Sequence, residues 1–462
     1  MTRSRALGVV TAVALLATAG CSSPSDGGRS PSSGAPAPTS VSSVSTPPAP
    51  GSAAGAAACT TLRPQARPHP DGRAAGRAAT VVAAVAARGW NAEAPVEEDG
   101  APPGGMYVNW RSRWDGVTDP AANTNVRTDG RSDAVAKVDA RHDPLNDLIT
   151  LRNLDAYLAT GASSAQTQRQ AQTLRCRLHP VVAAEFADYG VYRGWVYFQL
   201  VDLSRLDPDG PWAASAQRLA GTLAGRFVDP VSHGVVDRRH GTYATDDAAQ
   251  SVAALLDAGP RFGRADWTAA GAAAATRLVQ AAPDAATGLF PDSMTSVPSA
   301  PRDTPKDTQA RAGVQAQVLD GLLTAYDVGH DPAVLAAARR LATSLLDPAV
   351  GLADAAHGGF FFAVELDRGT VRGAYKESRQ AWLLPALNHL LRSDPQAPTG
   401  AREAAAAMAD VVADRLYRPA DGGYVYRVAP DWSPYRHDAV VEDWVSTEAT
   451  GIALQALLGP LS

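Results

Sequence analysis

Four times between residues 234 and 458 the chain runs through one cycle. A glycine with aromatic or β-branched neighbours leads into a polar loop, then a charged helix start, then an apolar helix. The segments are 234–256, 288–323, 358–387 and 422–458, and each adjoins a plain amphipathic helix of Ala, Leu and Val. A spacing of about 60 residues marks a repeat architecture, in which one unit cannot bury its apolar face alone. Helical hairpins repeated in this way can close into a ring, with one helix of each pair inside and one outside. The loops before the inner helices then gather on one face, where a pocket forms.

Periodicity and stop signals predict twelve helices, at 73–88, 144–160, 163–187, 191–204, 211–226, 246–258, 265–282, 307–328, 331–346, 376–392, 399–415 and 443–458. Asp143-Pro144 and Asp331-Pro332 place a capping side chain before a proline that suits the first helical position. Gly161, Gly259 and Gly329 fit left-handed stops. Six hairpins predict an all-α chain, an (α/α)6 toroid with β-hairpin loops on one face. The even-numbered helices carry aromatic and polar residues near their starts: Tyr192, Arg193, Trp195 and Tyr197; Asp246, Asp247 and Gln250; Arg379, Gln380 and Trp382; Asp443, Trp444 and Glu448. They are expected inside, with their positive amino ends facing the loops. Residues 89–142 are less regular; 104–116 alternate like a strand, and the polar remainder is expected over the same mouth.

The amino terminus reads as a secretory signal, residues 1–20, with Arg3 and Arg5 before the apolar run Ala6–Ala17. That run is too short to span a membrane. Thr18-Ala19-Gly20-Cys21 resembles a bacterial lipobox, which implies lipidation of Cys21 and an extracytoplasmic, membrane-anchored protein. Residues 21–58 are a Ser/Pro/Gly/Ala tether with too little apolar surface to fold. The folded domain is expected over 59–462. Cys59 and Cys176 are a candidate disulfide in that compartment. The formal net charge of −5 and the lack of a basic stripe argue against nucleic acid. The chain is expected to be a monomer.

Several residues could carry chemistry. Asp246 and Asp247 stand side by side at an inner-helix start, and glycoside hydrolysis needs two carboxyl groups in different protonation states. The plainer reading is a cap and a charge favoured by the helix dipole. Glu442 and Asp443 form a second acidic pair. Asp143 and Asp307 would complete a ring of carboxylates. Of 42 basic residues only Lys137, Lys306 and Lys376 are lysine, and all three fall at, or within about ten residues before, the start of an even helix. Lys306, Lys376, Arg193 and Arg379 are candidates for holding anionic or polar substrate groups. Tyr243, Trp382 and Trp444 are candidate walls; Trp110, Trp114 and Trp432 are candidate platforms. His142, His233, His240, His357 and His437 lie in loops before even helices, a placement that suits proton transfer. No metal-ligand spacing occurs, so no metal and no cofactor is expected.

On the helix count, the Gly-aromatic loops and the charged helix starts, residues 60–462 resemble the six-hairpin glycosidase-like superfamily. The segment Tyr243-x-x-Asp246-Asp247-x-x-Gln250 is similar to the Asp-Asp motif of bacterial endo-α-1,6-mannanases. That resemblance implies catalytic acids at Asp246 and Asp247, although Gln250 and Ser251 stand where that family usually has tryptophan. The segment 376–384 is similar to the N-acylglucosamine 2-epimerase branch, which uses histidine as acid and base. Three functions follow as expectations: hydrolysis of an extracellular or envelope glycan, sugar epimerisation or isomerisation through His240 and His357, and non-catalytic glycan binding.

Overall fold

The computed structural model describes residues 62, 72–92, 103–110, 143–161, 164–237, 239–281, 283–372, 375–437, 440–442 and 445–460. Twelve α-helices follow one another among these. They are α1 (Gly72–Arg88), α2 (Pro144–Thr160), α3 (Ala165–Glu185), α4 (Gly194–Leu206), α5 (Trp212–Thr222), α6 (Thr245–Arg261), α7 (Ala265–Gln280), α8 (Ala312–Gly329), α9 (Pro332–Leu346), α10 (Leu383–Ser393), α11 (Ala401–Asp410) and α12 (Thr447–Leu458). The odd helices bury one stripe. In α9 that stripe is Val334, Ala337, Ala338, Leu341, Ala342 and Leu345, the spacing of an amphipathic helix against a core. The even helices other than α10 bury most of their residues, and α2 exposes almost nothing from Asn146 to Ala159. The even helices are therefore the inner ones.

The inner helices close a ring through polar bonds between each neighbouring pair. Arg152 on α2 grips Asp202 on α4 at 2.9 and 2.7 Å. Tyr197 on α4 donates to Asp257 on α6 at 2.5 Å. Gln250 on α6 donates to the Gln317 carbonyl on α8 at 2.8 Å. Asp320 on α8 meets His389 on α10 at 2.8 Å. Arg379, in the 3-10 turn Ser378–Trp382 that opens α10, donates to Glu448 on α12 at 2.6 Å. Asn153 on α2 donates to the Gly451 carbonyl of α12 at 2.8 Å. Glycine permits the closest approaches. A Cβ on Gly194 would lie 2.1 Å from the Gln250 carbonyl carbon, and one on Gly321 2.8 Å from that of Ala249.

The loops contain the expected β-hairpins, such as 363–365 with 370–372 and 435–437 with 440–442, and add pairings between repeats. The strand just before an inner helix pairs with a strand of the next repeat: 242–244 with 293–295, 309–311 with 363–365, 376–377 with 427–428, and 445–446 with 109–110. The last pairing returns the end of the chain to its beginning. The first N–H of the inner helix reinforces each one: Thr245 donates to Asp292 O, Ala312 to Phe362 O, Ser378 to Tyr426 O and Thr447 to Val108 O, at 2.9–3.0 Å. These donors are among the N–H groups that a helix cannot satisfy internally.

Asp143 and Asp331 cap α2 and α9 as expected, at 2.9 and 2.8 Å. Gly161 ends α2 with φ 65°. Gly259 is not a stop; it lies inside α6, close against Thr268. Gly329 is the last residue of α8, and His330 takes the left-handed position instead, with φ 53°. Residues 1–58, with the signal, Cys21 and the tether, and also Cys59, lie outside the described residues. Cys176 is half-buried on α3, where Gln172 donates to its sulfur at 3.3 Å.

Candidate active site

The cross-repeat pairings make Thr245, Ala312, Ser378 and Thr447 equivalent positions. The next residue in each repeat is Asp246, Gly313, Arg379 and Glu448. All four therefore start inner helices on the loop face. Gly313 is small for a reason, since a Cβ there would lie 2.7 Å from the Cβ of Arg379. Arg379 donates to Glu448 and lies within electrostatic reach of Asp247.

Asp247 is the electrostatic centre of this face. Burial and the Asp246 carboxylate push its pKa up to about 7, against the pull of Arg193, Arg379 and Arg311. Four inner-helix starts thus converge: Arg193 at α4, the Asp pair at α6, Arg311 before α8 and Arg379 before α10. Asp246 accepts the Asp247 backbone N–H at 3.0 Å, a local cap-like bond that leaves both carboxyl groups at the amino end of α6. A second acid shares the setting. Burial pushes Asp292 up to about 7 against Arg311, whose Nε and backbone N–H reach it at 2.5 and 2.9 Å. Two tyrosines lie within electrostatic reach of Asp247. The Tyr192 hydroxyl is raised to about 12, first by burial and then by Asp247. Tyr189 is raised further by burial, with Arg193, Asp247 and Asp143 in range. Tyr426 closes the α10–α12 side beside Glu377, Arg379 and Glu448.

A neutral carboxyl beside a charged one, ringed by guanidinium groups and tyrosines, can donate a proton while its partner accepts one. Among the described residues no group of three or more His, Cys, Asp or Glu is placed to hold a metal ion.

Solved structures share this architecture. An unsaturated glucuronyl hydrolase specific for heparin superposes with a TM-score of 0.55 at 15% identity, over 84% of this chain and 96% of the other. A family 76 glycoside hydrolase from a bovine Bacteroides thetaiotaomicron strain gives 0.56 at 10%, over 84% and 77%. A cellobiose 2-epimerase from Bacillus thermoamylovorans gives 0.53 at 10%, over 79% and 93%. The fold is an (α/α)6 toroid, shared with these three proteins. The sequence matches no protein-family model and no curated protein.

Within the toroid, several residues singled out from sequence stand elsewhere than expected. Lys376 is fully buried. Its ammonium donates to the Gly358 and Pro430 carbonyls, both at 2.6 Å, and pairs with Asp354 at 2.8 Å. It is a structural pin between two loops, not a substrate contact. Trp432, expected as a platform, lies on that pin with its ring 4.2 Å from the ammonium. Tyr243 is buried, and its hydroxyl donates to Asp303, which Arg277 also holds; this packing replaces the expected wall. Lys306 is exposed on its loop, and Trp382 packs partly buried against the core. Asp307 accepts from Ser293 Oγ at 2.5 Å. His240 is 65% exposed beside Asp237, and His357 sits 3.3 Å from Asp354 in its own turn. His233 adopts φ 59° in a loop turn. Glu442 and His437 fall in the strand pair 435–437 with 440–442, and Trp110 in the strand paired with Val445. Asp443, Trp444, Trp114, Lys137 and His142 lie outside the described residues.

Sequence reasoning did not single out Asp292, Arg311, Glu377 or Tyr426. Their signal is positional: each lies at or beside a strand end that an inner helix start engages, and only the repeat alignment exposes that.

Proposed function

We propose that the protein is a glycoside hydrolase in which Asp247 is the general acid and Asp246 the base or nucleophile. The observation that carries this reading is the pair of adjacent carboxyl groups in the first turn of α6, with burial and Asp246 raising the Asp247 pKa. Glycosidic cleavage needs one carboxyl that keeps its proton to deliver to the leaving oxygen, and a second that is ionised. Arg193 and Arg379 hold polar or anionic substrate groups, and Tyr189, Tyr192 and Tyr426 wall the site. Acid–base chemistry of this kind needs no cofactor. The hydrolases of the same fold noted above support the reading. Epimerisation through His240 and His357 has weaker support, because each ring sits beside an aspartate three residues earlier.

The lipobox-like Cys21 and the tether make an extracytoplasmic, lipid-anchored protein the fitting setting, with a Cys59–Cys176 bond at the domain entrance. Among the described residues no helix is long and apolar enough to cross a membrane. The test is release of reducing ends from envelope glycans by the native protein, Asp246→Asn and Asp247→Asn. Loss in both variants, with the fold retained, is the expected result; equal activity would remove the assignment.

A further inference from the structure

A groove of about 530 Å3 lies beside the mouth. Its lining includes Asp188, Tyr189, Arg218, Gly221, Gly225 and Arg226. The location follows from chain direction. An outer helix ends, and an inner helix begins, on the loop face. The groove therefore lies on the rim, between the carboxyl end of α5 and the loop that carries Tyr189 and Arg193 to the mouth. Tyr189 belongs to both places, since it lines the groove and lies within electrostatic reach of Asp247.

We propose that this groove is a second saccharide subsite, which receives an acidic sugar of a chain whose scissile end lies at Asp246 and Asp247. The proposal deepens the hydrolase reading and rests on it for the direction of the chain. Three features favour it. The floor is bare, because Gly221 and Gly225 stand one helical turn apart and a Cβ on Gly225 would meet nothing within 4 Å. Helix α5 also passes into a π-turn at Leu223–Phe227, a local distortion frequent at functional sites. Second, two guanidinium groups flank the floor. Arg218 is half exposed, and its Nε donates to the Ala187 carbonyl at 2.7 Å. Arg226 donates to the Gly190 carbonyl at 3.4 Å. Arg218 also donates to Ser215 Oγ at 3.0 Å. These bonds use only part of the five N–H groups that each guanidinium can offer, and a planar fork suits a carboxylate or sulfate oxygen pair. Third, Tyr189, packed on Phe186 at 4.9 Å, supplies a fixed aromatic edge between groove and mouth. Asp188 stands 3.8 Å from Arg218 Nε, and at 94% exposure it can swing away to let an anion take its place.

The test is direct binding by the full chain, measured calorimetrically with an alginate-derived hexauronate, a diuronate and uncharged maltohexaose. Gly225→Glu places a repelling carboxylate on the floor, and Arg226→Gln removes a fork; both positions are at the surface, so each variant is expected to fold. The expected result is that native protein binds hexauronate more tightly than diuronate or maltohexaose, and that either variant weakens hexauronate about tenfold, roughly 1.4 kcal/mol, while leaving diuronate unchanged. Equal hexauronate binding by native and variant proteins overturns the subsite, as does native protein with no preference for the acidic hexamer. The readout is independent of turnover. Groove binding without glycan cleavage would count against the hydrolase reading and leave the subsite standing.

Discussion

At the scale of single residues, one aspartate and one lysine exchange the roles that their surroundings on the sequence suggest. Asp247 looks like an ordinary helix-start carboxylate, which the macrodipole should keep ionised. Burial and Asp246 outweigh that dipole and raise it to about 7. If its proton is the one delivered, activity falls as pH rises through about 7, and the alkaline limb disappears with Asp247→Asn along with a loss on the order of 10²–10⁴ in kcat/KM. The same shift governs stability. A pKa raised from the ordinary 3.8 means that the folded state binds the proton more tightly than the unfolded chain. The contribution is fully present below about pH 4 and is lost as pH rises through about 7. Asp247→Asn is therefore expected to raise Tm at pH 8 and to change it little at pH 4, as thermal scans at the two values would show. Lys376 runs the other way. Its rarity among the basic residues suggested recognition, but the ammonium is consumed by two carbonyls and Asp354. Lys376→Met leaves Asp354 buried without its partner, at a cost of about 3–5 kcal/mol. Chemical denaturation would register that loss; a rise in KM at unchanged stability would contradict the structural role.

At the scale of elements, helices and loop hairpins were legible, and the pairing of loops between repeats was not. Apolar periodicity, Asp-Pro starts and Gly161 mark helices because they are local signals, written within one turn of the element they define. The α2 boundaries, predicted at 144–160, fall there for that reason. The first turn of α8 was placed too early, because residues 309–311 form a strand paired with 363–365, a partner that no local pattern names. The same blindness hid Asp292 and Tyr426. Side-chain clamps show how helices hold these loops. Gln315 on α8 donates to the Phe290 carbonyl at 2.7 Å and accepts its N–H at 2.9 Å; Gln380 accepts from Phe360 N at 2.9 Å, and Thr450 from Tyr424 N at 3.1 Å. Gln315→Leu strands two buried backbone groups, and a loss of about 1–3 kcal/mol per stranded group is expected in equilibrium unfolding. Capping at α9 is a milder case: Asp331→Ala should cost about 1 kcal/mol.

For the whole molecule, closure is the property from which the site follows. Repeat spacing implied a ring, yet the ring's fasteners join residues far apart in sequence: Asn153 with Gly451, and the Val445 strand with Trp110. One fastener is sensitive to pH. His389 lies between Asp320 and Asp327, each at 2.8 Å, and although burial opposes its charge these carboxylates raise its pKa. The α8–α10 brace is therefore fully present below about pH 6.5 and weakens as pH rises through the raised value. His389→Gln is expected to lower Tm more at pH 6 than at pH 9. Because closure aims the inner helix starts at one mouth, it brings Arg193, Arg311 and Arg379 around Asp247, which sequence distance alone conceals. The pH dependence of kcat/KM on an envelope-derived oligosaccharide, for native protein and for Asp247→Asn, tests that arrangement most directly. A native profile that declines above about pH 7, with turnover abolished in a variant of native fold, is the expected result. Undiminished cleavage by Asp247→Asn, with the alkaline limb still in place, would contradict it.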